Sequence, residues 1–205
     1  MASKKPPPSG RFEINLLIFV DFFKTMFQEA KEENLIKERI SLFPLVEILI
    51  KKANNDDIVK WFIERTYEYW DKIYEKDGDY VEEISSKLFQ MVQDGKLEDI
   101  KDADDLKGAE GLMGNLSKGH IDNFKEVMTG VYKDEDGEEV KVFDYERKEE
   151  LWVYLQSFVK ISINHIHLTR QMGDDGKYKT KFFSKIDGEK VSVKKLAEKW
   201  KVKLK

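Results

Sequence analysis

Residues 55–78 read NDDIVKWFIERTYEYWDKIYEKDG, and this stretch decides the fold class of the chain. Its large apolar side chains recur at three- and four-residue spacing, which is the periodicity of an amphipathic α-helix. Asn55 or Asp56 supplies an N-terminal cap, and Gly78 marks the end. The pattern predicts a helix that buries one face, formed by Ile58, Trp61, Phe62, Thr66, Tyr69, Trp70 and Ile73.

A second strong helical pattern begins after Asp144 and runs to Gly173. Wide apolar stripes need a covering element, so we expect this helix to pack against the one in residues 55–78. The predicted core joins Trp61, Phe62 and Trp70 to a group on the second helix, namely Trp152, Leu155, Phe158 and Val159.

Weaker helical patterns surround these two. One begins at Phe12, and a second covers roughly residues 35–53, where a helix capped at Ser41 can hold Pro44 in its first turn. Two more run from Asp79 to Gly95 and over residues 121–128. Glycines interrupt residues 96–120, which predicts an irregular connection. Residues 131–143 fit either a hairpin that turns at Asp136-Gly137 or an acidic loop.

The sequence therefore predicts a mainly α protein, a bundle of five or six helices with a small C-terminal β-hairpin and a short terminal helix. The hairpin is expected around Asp187-Gly188, because residues 178–186 alternate between two faces. The predicted divisions are a flexible N-terminal arm at 1–10, a helical domain at 11–173, and a basic hairpin plus short helix at 174–205.

Charge is unevenly distributed along the chain. Residues 177–205 hold eleven lysines against three carboxylates, a net charge of +8, whereas the remaining 176 residues carry 25 basic and 37 acidic side chains, a net charge of −12. An acidic body with a basic tail predicts a tail that contacts an acidic partner. The residues expected to make this contact are Lys177, Lys179, Lys181, Phe182, Phe183, Lys185 and Trp200.

The N-terminal arm is a second candidate contact segment. Proline cannot join a helix interior or a sheet centre, so the arm is expected to become ordered only against a neighbouring protein. Its expected contact residues are Lys4, Lys5, Pro6, Pro7 and Pro8.

Composition excludes several classes of protein. The chain has no cysteine, which argues against a disulfide-bonded secreted domain and a structural zinc site. The longest apolar run, residues 16–20, is far shorter than the ~20 residues that span a bilayer, and no secretion signal is evident. We therefore expect a cytoplasmic protein, or one that assembles from the cytoplasm.

No catalytic, metal or cofactor motif is present in the sequence. The glycines of residues 108–119 lack the strand–turn–helix setting of a nucleotide-binding loop. His165 and His167 would point about 200° apart on a helix and cannot share a metal ion, and His120 adds no motif to them. The expectation is a protein that is not an enzyme, with no catalytic residue, metal, cofactor or small-molecule substrate.

Two segments resemble uncharacterised helical proteins of nucleocytoplasmic large DNA viruses. They are WFIERTYEYWDKIYEKD at 61–77 and ELWVYLQSFVKISINHIH at 150–167, and VDFFKTMF at 20–27 is similar to a lesser extent. The resemblance implies a viral protein located in the virion. Small proteins of such viruses without activity motifs commonly serve as minor capsid or scaffold components.

The functional expectation is a structural protein that contacts capsid proteins or neighbouring minor capsid proteins. The alternative is an accessory protein that binds nucleic acid without sequence specificity, through its lysine-rich tail.

Overall fold

The computed structural model describes residues 6–36, 42–78, 118–169 and 193–204. Within these ranges the chain forms seven α-helices, one 3₁₀ turn and one two-stranded antiparallel sheet, which confirms the mainly α prediction. The helices are α1 (Pro8–Glu32), α2 (Leu42–Lys52), α3 (Asn55–Thr66), α4 (Trp70–Glu75), α5 (Lys118–Thr129), α6 (Tyr145–Leu168) and α7 (Val193–Lys199). The strands are β1 (Val131–Lys133) and β2 (Glu139–Lys141). The predicted C-terminal hairpin, the helix after Asp79 and most of the glycine-rich connection lie outside the described residues.

Helix α1 begins at Pro8, whereas the sequence predicts a start at Phe12. A proline is tolerated there, since the first helical N–H groups have no acceptor within the helix and the ring fixes a helical φ. The Pro7 carbonyl accepts the Arg11 N–H at 3.0 Å. The last three residues of the predicted arm therefore belong to a helix, and Pro8 is buried.

The helix predicted for residues 55–78 is divided by a 3₁₀ turn at Tyr67–Tyr69. The Asn54 side chain caps α3 and accepts the Asp56 N–H at 2.9 Å, one residue before the predicted cap. At the other end, α4 stops at Glu75, and Lys76 takes a left-handed φ of 55° where Gly78 had been expected to end the helix. A left-handed residue is the common way to end a helix, and lysine fills that role here.

Helix α7 lies where the sequence predicts it, and α6 begins as predicted but ends at Leu168, before the expected Gly173. The Asp144 carboxylate accepts the Arg147 N–H at 2.8 Å and caps α6, as predicted. After α7, the Lys201 N–H bonds the Glu198 carbonyl at 3.2 Å and the Val202 N–H bonds the Ala197 carbonyl at 2.8 Å. These paired bonds close the helix with Lys201 at a φ of 52°.

The acidic stretch 131–143 is a hairpin and not an irregular acidic loop, so the first of the two predictions for it holds. Val131 pairs with Lys141 and Lys133 with Glu139. The Asp134 carboxylate accepts the N–H groups of residues 136 and 138, and Gly137 takes a φ of 84° that favours glycine.

The chain divides into two compact units. The first unit comprises Met1–Leu16, Ala53–Glu75 and Val153–Lys205, and the second comprises Leu17–Lys52 and Lys76–Trp152. Three phenylalanine rings form the centre of the first unit: Phe158 lies 4.8 Å from Phe12 and 5.6 Å from Phe62, measured between ring centroids. In the second unit a chain of ring contacts joins α1, α2 and α5 through Phe23, Phe27, Phe43 and Phe124.

Of the seven predicted core residues, four are buried, Phe62 and Leu155 are half-buried, and Trp61 is exposed. Trp70, Trp152, Phe158 and Val159 are buried, and the Phe62–Phe158 contact joins α3 to α6 as predicted. Trp61, in contrast, is 46% exposed. The buried face of α3 passes through Val59 and Ile63, and a residue two positions from each of them points away from that face. The prediction that Trp61 belongs to the core was wrong.

Candidate interaction surface

Most of the predicted tail contact residues, namely Lys177, Lys179, Lys181, Phe182, Phe183 and Lys185, lie outside the described residues. Trp200 is described and is only 1% exposed. Its ring packs edge-on against Tyr74, with 5.1 Å between the ring centroids. Trp200 therefore belongs to the core of the first unit and not to a partner surface.

A lysine strengthens the attachment of α7 to α4. The Lys199 ammonium lies 2.6 Å from an Asp71 carboxylate oxygen and 5.5 Å from the centre of the Tyr74 ring. An ammonium ion gains from both a carboxylate and the electron-rich face of an aromatic ring. The other described lysines after residue 192 are exposed: Lys194, Lys195, Lys201 and Lys203.

The predicted arm contact residues divide in a similar way. Lys4 and Lys5 lie outside the described residues, whereas Pro6 and Pro7 are exposed. Pro8 is buried at the first position of α1. It is therefore a packing residue of the first unit and cannot be a free contact for a neighbour.

Among the described residues of the first unit, Trp61 on α3 is the largest apolar side chain that is exposed. We call Trp61, Asp57 and Lys60 the Trp61 surface: Asp57 lies one turn before Trp61, Lys60 directly precedes it, and all three are exposed. The Lys60 ammonium lies 3.4 Å from an Asp57 carboxylate oxygen. The surface thus combines a large apolar ring with an ion pair formed by the residues that precede it.

Hydrogen bonds inside the first unit hold Trp70, the buried aromatic residue at the start of α4. Trp70 is buried, and its indole N–H donates to the Thr66 hydroxyl at 3.0 Å. The Thr66 hydroxyl in turn donates to the Phe62 carbonyl at 2.7 Å. Val59 and Ile63 of α3 are buried, and the rotation of the helix that buries them turns Trp61 outward. In the sequence, Val59 and Ile63 are apolar and four residues apart, so they share one face of the helix. Had that face been chosen as the buried one, Trp61 would have been predicted to lie on the surface.

Beneath α3, the first unit buries a histidine. His165 is 3% exposed, and its Nδ1 lies 3.8 Å from an Asp56 carboxylate oxygen. Burial lowers the pKa of His165 from its ordinary value of 6.5; the Asp56 carboxylate opposes this shift and Lys60 adds to it. Ser162, one turn earlier on α6, is also buried. Both residues are buried in the packing of the first unit.

The other histidines do not join His165. His167 is half-buried on the same helix, and His120 lies in α5 within the second unit. In the described ranges there is no group of three or more side chains arranged to hold a metal ion.

The second unit has a polar cluster of its own around Glu29. One Glu29 oxygen accepts the Tyr132 hydroxyl at 3.1 Å, and the other accepts the Arg147 guanidinium at 2.5 Å. Arg147 also donates to the Val142 carbonyl. The hydrogen bond to Glu29 raises the pKa of Arg147, so the cation is firmly retained. The cluster ties the hairpin to α1 and α6, and no local sequence signal pairs residues so far apart.

Across the parts of the chain that the structure describes, no helix has the length and apolar character needed to cross a membrane. No protein-family model, curated protein or solved structure matches this chain.

Proposed function

We propose that this chain is a structural protein without catalytic activity, a minor capsid or scaffold component of a large DNA virus that contacts a neighbouring protein through the Trp61 surface. The observation that supports the contact is the exposure of Trp61. Single exposed aliphatic residues are ordinary, but tryptophan is enriched among the few residues that dominate binding energy at protein interfaces. The viral setting is supported by the resemblance of residues 20–27, 61–77 and 150–167.

The charges around Trp61 favour a protein partner over nucleic acid at this surface. Asp57 is exposed one turn before Trp61, and a carboxylate repels a phosphate backbone. A protein surface with an apolar pocket and a basic rim satisfies both the ring and the carboxylate.

Crosslinking in purified virions tests this proposal. Lys60 directly precedes Trp61 and carries an exposed amine on a long side chain, so an amine-reactive reagent should join it to a structural protein at the interface. A Trp61→Ala variant is expected to lose both the crosslink and incorporation into particles. Tyr145→Ala is the matched control, because Tyr145 is the more exposed residue at 76% and belongs to the second unit. Normal incorporation of the Trp61 variant, or absence of the chain from purified particles, would contradict the proposal.

The exposed lysines that follow residue 192 support the alternative, an accessory protein that binds nucleic acid. Fluorescence anisotropy with a labelled duplex of random sequence tests it at about 50 mM and about 200 mM salt. Binding through several lysines should weaken steeply between these concentrations. Replacing Lys194, Lys195 and Lys203 with Gln should reduce the salt dependence, whereas Trp61→Ala should leave it unchanged.

A further inference from the structure

The imidazole of His165 occupies an unusual position in the first unit. It is almost completely buried, and its Nε2 has no hydrogen-bond partner among the described residues. The Ser162 hydroxyl on the same face of α6 is also buried without such a partner. Two adjacent polar groups are therefore placed in apolar surroundings, where a neutral group is tolerated far better than a charged one.

The charges near His165 do little to stabilise its protonated, positively charged ring. Asp56 is the nearest carboxylate at 3.8 Å, but 54% of its side chain is exposed, so solvent screens its attraction. Lys60, also on α3, repels a charged ring.

Asp56 and Lys60 are the described charges that act on the ring. Glu13 of α1 accepts a hydrogen bond from Asn55 at 2.7 Å, and Lys199 of α7 pairs with Asp71 of α4. Arg11 of α1 is a cation and cannot compensate a protonated imidazole. The described carboxylate that opposes the ring is therefore Asp56, and it is partly screened.

Protonation would act on a contact that holds the first unit together. His165 and Phe158 lie on the same helix and meet α3 at Asp56 and Phe62. A charged ring at this point gains hydration only if α3 and α6 separate. The folded unit therefore disfavours the proton that the unfolded chain accepts freely.

We propose that His165 is an acid-sensitive switch in the first unit, whose protonation loosens the packing of α3 against the second half of α6. The direction follows from burial. Because the folded state binds the proton less well than the unfolded state, the stability due to the neutral ring is complete above about pH 6.5 and is lost as the pH falls below it. One such proton raises the unfolding equilibrium constant up to about tenfold for each pH unit below that value. The device goes beyond the proposed function, since it requires no partner.

Hydrogen exchange of the full chain at about pH 7.5 and about pH 5.5 tests the switch, after correction for intrinsic exchange rates. Peptides from α3 and from the second half of α6 should lose protection at the lower pH. His165→Gln keeps a neutral polar side chain and should remove this difference. The control is His120→Gln combined with His167→Gln, which leaves His165 as the single histidine of the chain and should retain the difference.

Equal acid sensitivity of His165→Gln and the unmodified chain would overturn the proposal, because carboxylates would then account for the loss. Should His165→Gln fail to fold, NMR titration of the ring signals in the unmodified chain decides the question. The His165 ring should titrate below pH 6.5, the ordinary pKa of histidine. Titration at or above that value would likewise overturn the proposal.

Discussion

Replacing Phe158 with Ala should destabilise the first unit severely. Phe158 is 2% exposed and lies between Phe12 and Phe62, so truncation removes an entire ring from the centre of the unit. Truncations of this kind cost about 3–5 kcal/mol, which includes the transfer of the ring and the cavity that it leaves. For a chain of this size the loss corresponds to a decrease in Tm of roughly 6–20 °C.

Urea denaturation followed by circular dichroism measures this loss. A double-mutant cycle with Phe12→Ala isolates the contribution of one ring pair, which is expected to be about 0.5–1.5 kcal/mol. Tyr145→Ala is the control, since a highly exposed residue should change the free energy of unfolding by less than about 0.5 kcal/mol. A loss below about 1 kcal/mol for Phe158→Ala, or no coupling with Phe12, would show that the rings do not form the centre of the unit.

Three further changes test other parts of the structure. Lys201→Gly should stabilise the chain by about 0.5–1 kcal/mol in urea denaturation, because glycine adopts a left-handed φ without strain, and Lys203→Gly should bring no gain. Arg147→Met should cost about 1.5–3 kcal/mol by the same measurement, since it leaves a Glu29 oxygen and a carbonyl unpaired, and adding Glu29→Gln should recover part of the loss. Trp152→Ala should cost about 3–5 kcal/mol because Trp152 is buried, and an unchanged Tm would show that it faces a partner instead.

Local signals were predicted well from the sequence. Asp144 was expected to cap α6, and Pro44 lies in the first turn of α2 as predicted. Caps and proline positions depend on a few adjacent residues, so a sequence locates them closely, although Asn54 caps α3 one residue before the predicted cap. The C-terminal ends of α4 and α6 were predicted less well, because both helices stop before the expected glycine.

The rotation of α3 was not predictable in the same way. Apolar residues occupy more than half of the circumference of this helix. Periodicity alone therefore does not show whether the buried face passes through Trp61 or through Val59 and Ile63. The choice depends on the ring contacts of Phe62 with Phe12 and Phe158, which come from distant parts of the chain. The Glu29–Arg147 pair was missed for the same reason, because 118 residues separate its members.

Both compact units are assembled from separated stretches of sequence. Some native contacts can therefore form only after the ribosome has synthesised a distant partner residue. Phe12 contacts Phe158, so its partner is made 146 residues later. At about 5–20 residues per second, the ribosome needs roughly 7–30 s to produce it. During that interval the apolar face of α1 lacks part of its native cover, and the interval is long enough for chaperones to bind or for nascent chains to associate. We therefore expect the yield of folded protein in cells to depend on translation rate and chaperone supply more than its final stability would indicate.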